Sequence, residues 1–296
     1  MKSLISMLDL DKNQIEKIFT LADELKDKKL ERQGKLAALL FNRPSTRTLV
    51  SFAAALEESG IGFIHLDYGF TQLVRGEKLK DAAKALEQYA SLVIARLTPH
   101  DMLAELSKES KIPIINAGSD VEHPCQALGD LYTLKSLGKL KKGNKIVFIG
   151  EPTSNVANSL LIGATKLGLN FTFLSPLNYE PNAKYLTEAK KHAIIEITND
   201  ISKALNGANI IYVSPWIKET MEEESTKRMK DFLSYQVNEE MLSKAPKDVV
   251  LMHPLPAFRG MEVSEKILDS KNSVIWQQAK NRLYTQKAIV KMMLND

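Results

Sequence analysis

The stretch Leu36-Ala-Ala-Leu-Leu-Phe41-Asn42-Arg43-Pro44-Ser45-Thr46-Arg47-Thr48 decides how the chain is read. Its first six residues form an unbroken apolar run of strand length, the pattern of a strand buried on both faces. From Thr48 to Gly60 the residues Leu49, Phe52, Ala53 and Leu56 recur at helical spacing, and Gly60 supplies a stop. A strand that passes through a short polar turn into a helix brings unpaired N–H groups and the positive end of the helix dipole to one point. Here the turn adds three hydroxyls and the guanidinium of Arg47. It reads as an anion site, most simply for phosphate, against the plainer reading of Ser45 and Thr46 as helix caps.

The rest of the composition bounds that reading. A chain of 296 residues is long enough for two ordinary domains, and 44% hydrophobic with 26% charged residues is the composition of a soluble globular protein. Of 40 Lys plus Arg only eight are Arg, and several of those stand in polar, turn-like motifs suited to bidentate oxyanion recognition. The net charge of +4 is small and no basic block is interleaved with aromatics, so no nucleic-acid partner is expected. Lys139 to Lys145 reads as a solvated linker. One cysteine, Cys125, excludes a disulfide framework and a thiolate zinc cluster. With no signal-peptide pattern at the start and no apolar run of spanning length, the expectation is a cytoplasmic protein without a membrane partner.

Strand-like runs recur after the first: Gly62 to Leu66, Leu92 to Arg96, Pro113 to Asn116, Lys145 to Gly150, Asn170 to Leu174, Ile194 to Ile197, Ile210 to Ser214 and Val249 to His253. Helical patterns separate most of them, as in Leu79 to Tyr89, Asn155 to Leu167 and Tyr185 to His192, and another precedes the first strand at Leu10 to Lys29. This alternation predicts an α/β protein of two domains, each a mostly parallel sheet flanked by helices and joined by interdomain helices. The boundary is expected after a helix over Ala127 to Leu137, giving domains 1–137 and 138–276 that meet at a cleft. A final helix, patterned from Ala279 to Leu294 within 277–296, is expected to pack back on the first domain.

Further polar segments end strands or open helices: Gln72-Leu-Val-Arg75-Gly-Glu77, Arg96 with His100, His123-Pro-Cys-Gln126, His253-Pro-Leu-Pro256-Ala-Phe-Arg259-Gly260, and Asn281-Arg282 near the start of the last helix. Each has a bland alternative. Arg75 and Glu77 fit a surface ion pair, His100 fits a helix cap better than a catalytic group, and Cys125 fits a small packing residue. There is no paired-carboxylate motif, no metal-ligand spacing around His123 and no Gly-x4-Gly-Lys-Ser/Thr loop, so neither a metal nor a cofactor is expected.

The order of these segments resembles the carbamoyltransferase family, the aspartate and ornithine transcarbamoylases, along nearly the whole chain. The resemblance rests on Ser45-Thr46-Arg47-Thr48, Arg75-Gly76-Glu77, Arg96, His123-Pro124-Cys125-Gln126, His253-Pro254-Leu255-Pro256 and Asn281-Arg282. It implies an N-terminal domain for carbamoyl phosphate, a C-terminal domain for an amine, and a homotrimer, or an assembly of trimers, with shared active sites. Ser45, Thr46, Arg47 and Thr48 would hold the phosphate, aided by Gln72 from a neighbouring subunit. Arg96, His123 and Thr48 would direct donors at the carbonyl oxygen. Gln126 and the carbonyls around Pro254 and Leu255 would bind the carbamoyl NH2, and Arg282 would add positive charge. Arg47, Thr48, Arg96, His123 and Gln126 are thus the catalytic candidates. The reaction so read needs neither a covalent enzyme intermediate nor a metal.

The acceptor is read from the second domain. The segments Glu151 to Ser159 and Ile211 to Met221 contain no arginine to grip a second carboxylate, so aspartate is disfavoured. Gln72 to Glu77, the Cys of His-Pro-Cys-Gln, Ala257-Phe-Arg259-Gly260 and Gln286-Lys287-Ala288 resemble the ornithine branch, and Asn155 matches its Asn for the amino acid's backbone end. Ornithine, giving citrulline in arginine biosynthesis, is the favoured acceptor. The departures lie in Ser214-Pro-Trp216-Ile-Lys218-Glu219-Thr220-Met221: Ser214 stands where that branch has an Asp, and its Ser-Met pair aligns with Lys218-Glu219, or with Thr220-Met221 if one residue is inserted. Pro254 stands where it usually has Cys. These leave another amine as the alternative: an acylated ornithine, a diamine or another amino acid. Outside the class, a noncatalytic metabolite-binding relative would be expected to lose Arg47, Arg96 or His123, all of which are present.

Overall fold

A computed structural model of the protein describes residues 2–217 and 224–294. The chain divides into two compact units, Met1–Tyr132 with Lys280–Asp296, and Thr133–Ala279. Each is built on one parallel sheet flanked by helices.

In the first unit β1 (Leu36–Phe41), β2 (Gly62–Asp67), β3 (Leu92–Arg96) and β4 (Ile114–Asn116) lie in the spatial order β2-β1-β3-β4, every pair parallel. β1 is central and buried from Ala37 to Phe41, which accounts for its wholly apolar sequence. The other edge, β4, is covered by the chain's start. Leu4 N–H donates to the Ile114 carbonyl at 2.9 Å and Asn116 N–H to the Leu4 carbonyl at 2.8 Å, so that edge offers fewer open backbone groups. α1 (Lys12–Leu25) begins at a capping box of Asp11 and Gln14 and buries Ile15, Ile18, Phe19, Ala22 and Leu25 on one face. α2 (Thr46–Glu58), α3 (Leu79–Leu86) and α4 (Asp101–Glu109) each follow a strand or precede the next. α5 (Pro124–Ser136) leads out of the unit.

The second unit holds β5 (Lys145–Ile149), β6 (Asn170–Leu174), β7 (Ile195–Thr198), β8 (Ile210–Val213) and β9 (Val250–Met252) in the order β7-β6-β5-β8-β9, again all parallel. Phe148 at its centre stacks on Tyr212 with ring centroids 5.6 Å apart and meets Phe173 edge-on at 5.7 Å. The connections contain α6 (Asn155–Lys166), α7 (Ala183–Ala189), α8 (Ile201–Leu205), α9 (Ser225–Phe232), α10 (Glu239–Ser243) and α11 (Glu265–Leu268). α12 (Ile275–Met293) returns the chain to the first unit. Among the described residues no helix is long and apolar enough to cross a membrane.

Several details differ from the sequence reading. α5 starts at Pro124, three residues before the expected Ala127. Proline lacks only an N–H that a first turn leaves unused, and its fixed φ suits that position. α12 starts at Ile275, so Asn281 and Arg282 lie about two turns into it. The passage between units falls within α5, after Tyr132, and within α12, after Ala279. Lys139, expected to be merely solvated, donates to the Asp248 carboxylate and carbonyl at 2.7 Å each, and Lys145 donates to the Asn206 carbonyl at 2.6 Å. His100 precedes α4 without capping it; its Nδ1 instead lies 2.8 Å from Ser119 Oγ.

Lys287 fastens α12 within the first unit. Its fully buried ammonium donates to the carbonyls of Leu25 at 2.7 Å and Lys28 at 2.5 Å and to Glu58 Oε2 at 2.9 Å, joining the C-terminal ends of α1 and α2. Lys287→Met would leave the Glu58 carboxylate and two carbonyls without this donor. The expected loss is about 3 kcal/mol, the scale of removing one partner of a buried ion pair. Urea unfolding measures it, and an unchanged midpoint would count against the fastening role.

Candidate active site

In the first sheet the chain steps from β1 to β2 on one side and reaches β3 on the other, so the loops after β1 and β3 leave adjacent strand ends. Open α/β sheets hold ligands at such a switch point. Phe41 and Arg96 are register partners there. Asn42 laces the two loops together: its N–H donates to the Arg96 carbonyl at 3.0 Å, its Nδ2 donates to the Thr98 carbonyl at 2.8 Å, and its Oδ1 accepts from Thr98 N–H at 3.0 Å.

Ser45 occupies the N-cap position of α2 but its side chain makes no capping hydrogen bond. The bland reading of this turn therefore fails at the residue where it was strongest. Thr46, Arg47 and Thr48 form the first helical turn. Thr48 is buried, and its Oγ1 accepts from Arg282 Nη2 at 3.0 Å. Arg282 Nη1 donates to Gln126 Oε1 at 3.0 Å, and Gln126 Nε2 donates to Asp130 Oδ1 at 2.7 Å. This chain runs across α2, α12 and α5 and fixes the Gln126 amide with its oxygen toward the guanidinium. Arg96 and His123 meet over Gly118, whose φ is +126°. A Cβ there would overlap Arg96 Nη1 and come within 3.3 Å of the His123 ring, so only glycine lets the guanidinium and imidazole approach this backbone together.

The electrostatics are those of an anion site. Burial first, then the charges of Arg282 and Arg96, hold the His123 pKa well below the usual imidazole value, so the ring is neutral at pH 7 and offers one N–H without adding charge. Burial, reinforced by the Arg96 and Arg47 charges, lowers Arg282 to about 10 against upward pulls from Cys125 and Asp130; it stays a cation at neutral pH. The Cys125 thiol is pushed up to about 12 by burial and donates to the Asn116 carbonyl at 3.3 Å, the setting of a packing residue rather than a nucleophile. Among the described residues no group of three His, Cys, Asp or Glu side chains is placed to hold a metal.

The structure thus joins Thr48, Gln126 and Arg282 by hydrogen bonds and brings Arg96 and His123 together, with Arg47 close enough to act on Arg282. Gln72 stands on an exposed 3-10 turn, Gln72–Arg75, outside that chain of hydrogen bonds. Asn155, Ser214, Pro254 and Leu255 belong to the second unit, and Lys218, Thr220 and Met221 lie outside the described residues. In that unit the switch point falls between β5 and β8. Gly150 (φ +139°) ends β5 so close to β8 that a side chain would run into the Ser214 backbone. Asn155 opens α6, and Ser214 follows β8 and is buried.

Sequence reasoning missed Asp130, Asn42 and a buried pair in the second unit. Glu151, just after β5, bonds Arg228 Nη1 through one carboxylate oxygen and accepts from Thr153 Oγ1 at 2.6 Å through the other. Arg228 also donates to Glu224 Oε2 at 3.0 Å and lies 5.2 Å from the Tyr179 ring centroid. A lone acid inside the apolar turn Ala127-Leu-Gly-Asp130-Leu was the available signal for Asp130, since a charge on a buried face needs a partner.

His123 also makes stability depend on pH. Its folded pKa lies below the usual 6.5, so the unfolded chain binds a proton there that the native state refuses. Stability is therefore lost as pH falls below about 6.5, by up to about 1.4 kcal/mol per pH unit for this one group. Chemical unfolding of the wild type and His123→Gln at pH 7 and pH 5.5 isolates the effect. The variant should lose less on acidification, and equal losses would show that His123 is not held neutral.

The chain matches two family models: "Aspartate/ornithine carbamoyltransferase, carbamoyl-P binding domain" over residues 2–136 and "Aspartate/ornithine carbamoyltransferase, Asp/Orn binding domain" over residues 142–293. It is 40% identical to an ornithine carbamoyltransferase of Oceanobacillus iheyensis, the alignment covering 100% of this chain and 95% of that one. It is 38% identical to that of Methanosarcina acetivorans, covering 98% of each. Among solved structures, ornithine carbamoyltransferase from Pyrococcus furiosus superposes with a TM-score of 0.94 at 36% identity, over 99% of this chain and 97% of that one. The anabolic ornithine carbamoyltransferase of Campylobacter jejuni gives 0.93 at 35% identity, over 100% and 99%. The chain belongs to the aspartate/ornithine carbamoyltransferase family.

Proposed function

We propose that the protein transfers the carbamoyl group of carbamoyl phosphate to the side-chain amine of ornithine, giving citrulline and phosphate. The observation that carries this reading is the group of three guanidiniums (Arg47, Arg96, Arg282) and a neutral imidazole around the first turn of α2. Such a group suits a dianionic phosphate attached to a carbonyl that must accept more charge. Ser45, Thr46, Arg47 and Thr48 bind the phosphate, with Arg282 behind Thr48. Arg96, His123 and Thr48 donate to the carbonyl oxygen, and Gln126 with the carbonyls of Pro254 and Leu255 receives the carbamoyl NH2. The neutral amine attacks the carbonyl carbon, a C–N bond forms, and the tetrahedral oxyanion collapses with cleavage of the C–O bond to phosphate. The amine's proton leaves with the phosphate. Catalysis is by positioning and electrostatics.

Ornithine is supported by the names of the relatives and by the absence of arginine from Glu151 to Ser159 and from Ile211 to Met221; Arg228, further on, is already paired with Glu151 and Glu224. Asn155, Ser214, Lys218, Thr220, Met221 and Leu255 are the residues assigned to it. Ser214 in place of an acid is the feature that favours a differently charged amine, and it makes an amine panel the deciding measurement.

The same reading makes the enzyme a cytoplasmic homotrimer serving arginine biosynthesis. Support for self-association lies in the first unit: edge strand β2 exposes Phe63 and Ile64, and Phe70 (92% exposed) and Val74 stand out on the turns that follow it, beside Gln72. An open edge with apolar side chains is a surface that proteins cover, and a neighbouring copy that covers it would receive Gln72. A single, buried cysteine suits a reducing compartment.

Purified protein with carbamoyl phosphate and a panel of amines should release phosphate fastest with ornithine; preference for aspartate would overturn the assignment of the second unit. Arg47→Ala should lower kcat/KM by about a thousandfold, the upper range for a lost oxyanion donor, with unchanged circular dichroism. Near-normal kinetics in that variant would remove the central role of the turn.

A further inference from the structure

The loop His253-Pro-Leu-Pro256 follows β9, and Leu255 within it has φ +58°, a left-handed conformation that side chains with a Cβ adopt at a cost. The structure shows what holds it. Leu255 N–H donates to His253 Nδ1 at 2.9 Å. A backbone N–H has nothing to accept with, so Nδ1 presents a lone pair and the ring proton sits on Nε2. Nε2 lies 3.1 Å from Glu262 Oε1, and the same oxygen accepts from Phe258 N–H at 2.6 Å. The amides of Leu255 and Phe258, on either side of Pro256, are thus tied to one imidazole–carboxylate pair. From the helical side, Gln278 Oε1 accepts from His253 N–H at 3.0 Å. The side chains of His253 and Glu262 are 0% and 1% exposed. Neither has a role in the carbamoyl transfer as derived above.

We propose that His253 and Glu262 form a positioning relay that fixes the Leu255 backbone, and with it the direction of the Leu255 carbonyl toward the substrate's NH groups. The relay rests on the reading that this carbonyl touches substrate. Neither residue is catalytic: both act through Leu255. A buried acid and imidazole in place of apolar packing are explained by this task, because only a neutral ring, held by an acceptor on one side, can present an acceptor to the backbone on the other.

The test uses the full-length protein, carbamoyl phosphate and the amine the wild type prefers. Glu262→Leu removes the acceptor at similar volume, and Glu262→Gln keeps an oxygen for Nε2–H and Phe258 N–H. Glu262→Leu should raise the amine KM about tenfold, the effect of one lost hydrogen bond. Inhibition by inorganic phosphate, held in the first unit, should stay unchanged, and Glu262→Gln should restore the KM. A residue that only stabilises the fold would lower the melting temperature and the yield of active enzyme without moving KM. Should Glu262→Leu not fold, His253→Asn carries the test. Its Oδ1 replaces Nδ1 as the acceptor for Leu255 while leaving Glu262 unbridged, and a raised amine KM with unaltered phosphate inhibition is again expected. An amine KM unchanged in the folded variants, or a Glu262→Gln as impaired as Glu262→Leu, overturns the relay. A wild type that turns over none of the amines instead sinks the functional reading, before any variant is made.

Discussion

The guanidinium of Arg282 is the constraint on which the first unit depends. It is buried, it donates to Thr48 on α2 and to Gln126 on α5, and it is delivered by a helix from the far end of the chain. Burying a cation away from water is unfavourable unless its donors are used, so α2, α5 and α12 must meet in one geometry for the residue to be tolerated at all. That requirement explains why the chain comes back after completing a second unit. It also explains Asp130, which takes the Gln126 NH2, so that the amide oxygen faces the guanidinium, and supplies a nearby negative charge that pulls the Arg282 pKa upward. Lys287, one turn further along α12, anchors the same helix to the ends of α1 and α2.

Such a site works against the stability of the protein that carries it. Arg47, Arg96 and Arg282 repel one another, and His123 is kept neutral partly because two of them surround it. The binding energy for an anion is therefore prepared in advance, as repulsion that the anion relieves and as donors already held in place. Asn42 and Gly118 belong to this preparation. The first ties the two loops at the switch point through both Thr98 backbone groups, and the second leaves space where Arg96 and His123 converge.

Much of the fold was legible because the central parallel strands are written as apolar runs, as in Leu36 to Phe41 and Ile146 to Ile149, and similar short runs recur between helical patterns. Ser45 to Thr48, Arg96 and His123 were legible because polar residues end those runs or open the helices that follow. What could not be read was pairing. Ser45 before a helix is ambiguous until the geometry shows that its hydroxyl does not cap. Asp130 and Glu262 look like ordinary acids until their partners, Gln126 and His253, are known to lie beside them. The helix pattern over Ala127 to Leu137 is set by apolar spacing, and that spacing does not show that Pro124 already forms the first turn. Strand ends and helix phases are local in sequence; hydrogen-bond partners 9, 77 or 156 residues apart are not.

The division of labour between the units bears on how the acceptor can change. Every cation of the anion site lies in the first unit, while Asn155, Ser214 and Leu255 lie in the second. Altering a residue such as Ser214 leaves the chain of Thr48, Arg282, Gln126 and Asp130 intact, because none of its hydrogen bonds passes through the second unit. The order of donor residues in the first unit and the unusual Ser214 to Met221 sequence are therefore compatible in one protein. Guanidiniums that act on one another cannot be changed singly without disturbing the rest, whereas a contact carried on a separate scaffold can change by itself, and one such contact is enough to shift a specificity.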